Sequence, residues 1–169
     1  DAFLQATAHG QAALTKAVLA AIGPAKRVAD LFAGCGTFTL TLAKLAEVHA
    51  VESDAAALAA LDVGWRKAVG LKTITTQTRD LFRRPLEPSE LDRFDAVVLD
   101  PPRAGAKAQV EALATSKVPC IAAVSCNPVT FARDAATLIA GGYRLDWVQV
   151  VDQFRWSPHV ELVGSFTRA

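Results

Sequence analysis

Methionine is absent from all 169 residues. Asp1 is therefore no translation start, and the chain is expected to be a processed piece or fragment, with any separate binding module upstream. Cysteine is scarce. Cys35, Cys120 and Cys126 offer neither a C-x-x-C pair nor the even count of a disulfide framework. Unpaired thiols suit a reducing, cytoplasmic compartment, where one of them can work as a nucleophile. A dominant charge is missing too: 18 Lys and Arg stand against 17 Asp and Glu, a net of +1. Bulk charge thus gives no sign of nucleic acid, whose phosphates call for clustered cations. No apolar run is long enough to span a bilayer and no signal-peptide pattern opens the chain, so a soluble protein is expected. His9, His49 and His159 belong to no cluster with metal-ligand spacing, so no metal is expected.

What remains is the balance of one ordinary folded domain, 51% hydrophobic and 21% charged, expected to cover 1–169. Leu14, Val18 and Ile22 recur at four-residue spacing, predicting a helix from about Thr7 to the Gly23-Pro24 stop. Strands are predicted at Arg27–Leu31, Val48–Glu52, Ile74–Thr78, Ala96–Leu99 and Ile121–Ser125. Most are short apolar runs, as strands buried on both faces should be; the Thr-rich Ile74–Thr78 is the exception. Helical segments separate them, among them Asp54–Val69 ending at Gly70, and Thr130–Ile139 ending at Gly141-Gly142. Two further extended runs, Leu145 to Val151 and Val160 to Thr167, have no helix between them and predict an antiparallel pair at the sheet edge. The expected fold is α/β: a Rossmann-like, mostly parallel sheet with a C-terminal antiparallel pair and helices on both faces. Five βα units followed by such a pair is the layout of class I methyltransferases.

The strand Arg27–Leu31 runs into Phe32-Ala33-Gly34-Cys35-Gly36-Thr37. Gly34 and Gly36 let the backbone turn sharply and approach a ligand at the carboxyl end of the sheet. Thr39 stands where a dinucleotide fingerprint has its third glycine, which disfavours pyrophosphate binding. Glu52, at the next strand end, can accept from both hydroxyls of a ribose. Asp80, after the third strand, is suited to adenine's amino group. In order, at successive strand ends, these residues favour an adenosine-type cofactor over a plain turn.

Asp100-Pro101-Pro102-Arg103-Ala104-Gly105 follows the fourth strand, stiff and poor in backbone donors. Ser125-Cys126-Asn127-Pro128 follows the fifth and places a thiol just ahead of a helix, a setting that favours a nucleophilic thiolate. Cys120, at the other end of that strand, reads as a small buried residue. Its Pro119-Cys120 pair is similar to that of cytosine-5-methyltransferases but lies on the wrong side of the sheet.

Phe3-Leu4-Gln5, DLFAGCGTFTL (30–40), DPPRAG (100–105), SCNPVTFARD (125–134) and DQFRWSPHVE (152–161) together resemble, in order and across essentially the whole chain, the motifs of the tRNA and ribosomal RNA uracil-5-methyltransferases. The resemblance implies S-adenosyl-L-methionine as cofactor, tRNA or rRNA as partner and a monomeric catalytic domain, with an RNA-binding region N-terminal to it. It implies Cys126 as nucleophile and Glu161 as general base. Gln5, Phe32, Thr37, Glu52 and Asp100 would lie around the cofactor or the target base. The chain departs from the family's pattern at Thr7, Arg155 and Ser157, and His159 reads as a support for Glu161. Arg83, Arg84, Arg93, Arg103 and Lys107 could meet phosphates, although such spacings usually mark a solvated face.

Three other readings fit fewer residues. An amino-nitrogen methyltransferase using Asp100-Pro101-Pro102 leaves Cys126 and Glu161 idle. A non-catalytic RNA-binding module needs neither. A nicotinamide-dependent oxidoreductase lacks its third glycine.

Overall fold

The computed structural model describes residues 2–152 and 160–169, with the backbone alone for residues 2–7. The elements in chain order are α1 (Ala2–Ile22), β1 (Arg27–Leu31), α2 (Thr37–Leu42), β2 (Glu47–Glu52), α3 (Ala55–Lys67), β3 (Ile74–Thr78), α4 (Pro88–Leu91), β4 (Ala96–Leu99), α5 (Lys107–Thr115), β5 (Cys120–Ser125), α6 (Pro128–Ala140), β6 (Arg144–Asp152) and β7 (Val160–Thr167). All seven predicted strands form, the Thr-rich β3 included. The first helix begins five residues earlier than its apolar spacing suggests.

The seven strands make one sheet in the order β3-β2-β1-β4-β5-β7-β6. β1 to β5 run parallel, and β7 lies antiparallel between β5 and β6. The expected pair is therefore real, with β6 at the edge. This is the class I methyltransferase sheet.

Alternation along each strand sends side chains to two separate cores. Ala29 and Leu31 of β1, Val97 and Leu99 of β4, and Ile121 and Ala123 of β5 pack with Leu91, Val110, Leu113 and Leu138 beneath α4, α5 and α6. The intervening residues Val28, Ala96, Val98, Ala122 and Val124 pack with Leu14, Val18, Ile22, Phe38 and Leu42 beneath α1 and α2. Because both faces are covered there, the central strands β1, β4 and β5 carry few polar side chains. Asp30 is the exception on β1: it is fully buried on the α1–α2 side. At their carboxyl ends these strands release the chain into loops on one edge of the sheet, where the predicted site residues collect.

Candidate active site

The loop after β1 is held in a strained shape. Phe32 takes φ 61°, unusual for a residue with a side chain, and Gly34 and Gly36 follow at φ 60° and 92°. The two glycines serve different ends. A Cβ on Gly34 would meet nothing within 4 Å, so that side of the loop is open. A Cβ on Gly36 would lie 2.3 Å from Leu61 Cδ1, so this glycine is needed to seat the loop against α3. The hydroxyl of Thr39, the residue in place of a third glycine, donates to Asp30 Oδ2 at 2.6 Å. Thr37, predicted to lie near the cofactor, is the exposed first residue of α2.

Glu52, the residue read from sequence as a ribose acceptor, ends β2, and its carboxylate serves the loop. Oε1 accepts from the Gly34 N–H at 3.1 Å, and Oε2 accepts from the Asp54 N–H at 2.8 Å and the Ser53 hydroxyl at 3.3 Å. Glu52 thus ties the glycine loop to the N-terminus of α3, where Asp54 caps Ala56 and Ala57. Asp80 similarly folds its own turn, with Oδ1 accepting from Phe82 N at 2.9 Å. Arg79 braces this loop through Glu90, at 2.9 and 3.1 Å, and through the carbonyls of Arg84 and Pro85. That pairing holds the Glu90 carboxyl below its ordinary range. The turn presents Phe82, half exposed, against Phe32 with ring centroids 5.3 Å apart. Sequence reading did not single out Phe82; only the turn brings the two rings together.

Asp100 is the first residue past β4, and its N–H donates to Leu31 O at 3.3 Å. Its carboxyl is pushed up to about 7, first by burial and then by the charges of Asp30 and Glu161. Asp30 is likewise raised to about 7 by burial, opposed by the Thr39 hydrogen bond and aided by Glu52. Cys126 is the first residue past β5 and is partly buried. Its turn is closed by Ser125, whose hydroxyl donates to Asn127 O at 2.9 Å and accepts from Asn127 N at 3.1 Å. Asn127 then caps α6 by accepting from Val129 N at 3.0 Å. In the β5–β7 ladder Ser125 faces Leu162, so the next positions outward are Cys126 and Glu161. The structure therefore brings Asp100, Cys126 and Glu161 to one end of the sheet, beside the glycine loop.

Cys120 starts β5 and lies about 20 Å from Cys126 at strand rise; burial raises its thiol. Cys35 is exposed within the glycine loop. His9 is exposed, and His49 sits half-buried between Thr75 and Gln77, lowered first by burial. Among the described residues no group of His, Cys, Asp and Glu could hold a metal. Arg83, Arg84, Arg93, Arg103 and Lys107 are all exposed. The Gln5 side chain, Arg155, Ser157 and His159 lie outside what is described. A groove of about 570 Å³ between Lys26, Arg27, Leu45, Glu47, Lys72 and Thr73 opens at the other end of the strands and plays no part in this site.

The profile of the tRNA (uracil-5-)-methyltransferase family matches residues 1–168. The chain belongs to this family. Among relatives, an uncharacterized RNA methyltransferase of Brucella suis is 58% identical over 166 residues, covering 98% of this chain and 40% of that protein. The 23S rRNA (uracil(1939)-C(5))-methyltransferase RlmD of Chromohalobacter salexigens is 40% identical over 169 residues, covering 98% and 35%. The tRNA (uracil-54, C5)-methyltransferase of Pyrococcus abyssi, crystallised with S-adenosyl-L-homocysteine, aligns with a TM-score of 0.76 and 31% identity over 93% of this chain and 38% of that one. The chain thus spans about 40% of the length of curated relatives that it matches. The glycine loop and the Cys126 turn lie at the same ends of the parallel strands.

Proposed function

We propose that this chain is the catalytic domain of an S-adenosylmethionine-dependent RNA methyltransferase that methylates carbon 5 of a uridine in tRNA or rRNA. One observation carries the reading above the others: Cys126 and Asp100 each stand one residue past a buried parallel strand, and Glu161 stands beside Cys126 across the β5–β7 ladder. The cofactor fits the same end of the sheet. Glu52, Asp80, Asp100 and Glu161 stand at the strand ends with Asp30 buried beneath them, a set of carboxyls suited to a cationic sulfonium and hostile to a pyrophosphate. Gly34 leaves its loop open to a ligand, and Asp30 Oδ1 is buried without a hydrogen-bond partner among the described residues.

When bound, S-adenosylmethionine supplies an electrophilic methyl group on a positively charged sulfur. Gly34, Glu52, Asp80 and Phe32 would hold its nucleoside end, with Asp100 towards the reacting end. The Cys126 thiolate adds to carbon 6 of uracil, and the electron pair of the ring double bond becomes nucleophilic at carbon 5. Carbon 5 would then take the methyl group, whose bond to the sulfonium breaks so that the sulfur leaves as a neutral thioether. Glu161 then removes the proton from carbon 5, the ring double bond re-forms, and the bond from carbon 6 to Sγ breaks to return the thiolate. Reaching the ring from above its plane requires the uridine to leave its stack. The RNA-binding region of such a protein belongs to the remaining length of its relatives. A cytoplasmic setting suits the free thiol.

The test is a covalent adduct. RNA carrying 5-fluorouridine, incubated with the protein as encoded and S-adenosylmethionine, leaves fluorine at carbon 5 where a proton has to depart. Denaturing mass spectrometry is expected to find RNA attached at Cys126 and none in Cys126→Ala. Cofactor binding without any adduct would overturn the reading in favour of amino-nitrogen methylation.

A further inference from the structure

The last pair of the β4–β5 ladder is Leu99 with Ala123. Asp100 and Cys126 both lie beyond it, so strand pairing does not set their spacing. The loop over residues 101–106 has few backbone donors, since Pro101 and Pro102 contribute none. Something outside the sheet must hold it.

We propose that Arg133 and Asp134 are positioning residues of the active site, clamping the 101–106 loop onto α6 so that Asp100 and Arg103 keep a fixed place relative to Cys126. Along one face of α6 four residues reach the loop. The Asn127 Nδ2 and the Thr130 hydroxyl both donate to Arg103 O, at 3.2 and 3.1 Å. Arg133 Nη2 donates to Ala104 O at 3.2 Å. Asp134 Oδ2 accepts from Ala106 N at 3.2 Å, while its Oδ1 accepts from Arg133 Nε and Nη2 at 3.2 and 3.1 Å. Three residues of the loop, 103, 104 and 106, are thereby tied to the helix that begins two residues after Cys126. The loop's own turn is closed by Gly105 N donating to Pro102 O at 2.9 Å.

Gly105 shows how close the clamp is. At φ 81°, a Cβ there would lie 2.4 Å from Arg133 Nη2, 3.0 Å from Asp134 Oδ2 and 3.1 Å from Thr130 Cβ. Neighbouring residues on a helix do not ordinarily face each other. Arg133 and Asp134 pair because both converge on the same short loop, and Asp134 is only 13% exposed in doing so. The guanidinium is committed to a carboxylate and a carbonyl, which sets it apart from the exposed arginines that could meet phosphate. Its role is placement.

The functional readout rests on the uracil-methylation reading above. In the protein as encoded, Arg133→Ala and Asp134→Ala are expected to lower kcat and the rate of adduct formation on 5-fluorouridine RNA about 10- to 100-fold, the cost of a displacement near 1 Å. KM for S-adenosylmethionine should rise by no more than about tenfold, through the displaced Asp100 carboxylate alone, since the glycine loop is untouched. Arg133→Lys, which still reaches Ala104 O, should recover most of the rate. Hydrogen exchange should show the 101–106 segment losing protection while α6 keeps it. Gly105→Ala, which leaves α6 intact, should reproduce the kcat loss and covers the case in which the α6 variants fail to fold. Wild-type adduct with unchanged kcat in folded variants would overturn the clamp. So would a joint loss of kcat, cofactor affinity and melting temperature that Arg133→Lys does not relieve. Absence of the adduct in wild type would instead sink the uracil reading and leave the exchange result to decide the clamp.

Discussion

The hydroxyl of Thr39 donates to Asp30 Oδ2 at 2.6 Å, while Oδ1 of the same carboxyl, equally buried, has no hydrogen-bond partner among the described residues. A charge held this way is expensive, because burial removes its water and one hydrogen bond does not replace it.

That cost makes stability fall with pH. Below about 4 the Asp30 carboxyl is protonated in both the folded and the unfolded chain. Between its ordinary 3.8 and its folded value of about 7, the unfolded chain ionises and the folded one holds its proton. The resulting advantage of the unfolded state is complete once pH passes about 7. Asp30→Asn keeps an acceptor for Thr39 and removes the charge. It should match wild type at pH 4 and exceed it at pH 8 by on the order of a few kcal/mol, a rise of several degrees in Tm. Identical melting of the two proteins at pH 8 would show that burial does not raise the Asp30 carboxyl.

Asp100, pushed up to about 7 by burial, Asp30 and Glu161, should make ligand affinity depend on ligand charge. A cationic sulfonium favours the ionised carboxylate, whereas neutral S-adenosylhomocysteine does not. Calorimetry from pH 8 down to pH 5.5 should show S-adenosylmethionine weakening by up to about tenfold per pH unit below 7, with S-adenosylhomocysteine changing far less. In Asp100→Asn the two ligands should show parallel pH profiles. Parallel profiles in wild type would refute the coupling.

The glycine loop should respond unequally to substitution. Gly34→Ala meets only its positive φ and should cost about 1 kcal/mol of stability. Gly36→Ala adds an overlap with the fully buried Leu61 and should cost about 3 kcal/mol. Urea unfolding of both variants measures this; equal losses would mean that α3 gives way without strain.

Phe82→Ala should barely change stability, since the ring is 51% exposed. Its pairing with Phe32 borders the loop assigned to the nucleoside, and aromatic contacts of this kind contribute about 1 kcal/mol. A loss of cofactor affinity of about fivefold is expected, read by calorimetry. Unchanged affinity would remove Phe82 from the site.

Much of this was legible in the chain itself. The seven strands could be located because buried parallel strands are short apolar runs set between turn residues, and Ile74–Thr78 held as a strand despite its threonines because it pairs with β2. The order in which strands lie in the sheet was not legible, since an apolar run states that it is buried and not which neighbour it has. The insertion of β7 between β5 and β6 is therefore a tertiary fact, and it alone sets Glu161 beside Cys126.

By itself the sequence determined the α/β class, the glycine and Cys126 loops at the strand ends and the family, because residue types such as a thiol after a buried strand are chosen locally. Only the tertiary structure decided what those residues touch. It committed the Glu52 carboxylate to Gly34, used Thr39 to hold Asp30, and turned Arg133 and Asp134 from a charged stretch into a clamp. The reason is physical: burial and hydrogen-bond partners depend on which distant segments meet, and spacing along the chain carries no record of that.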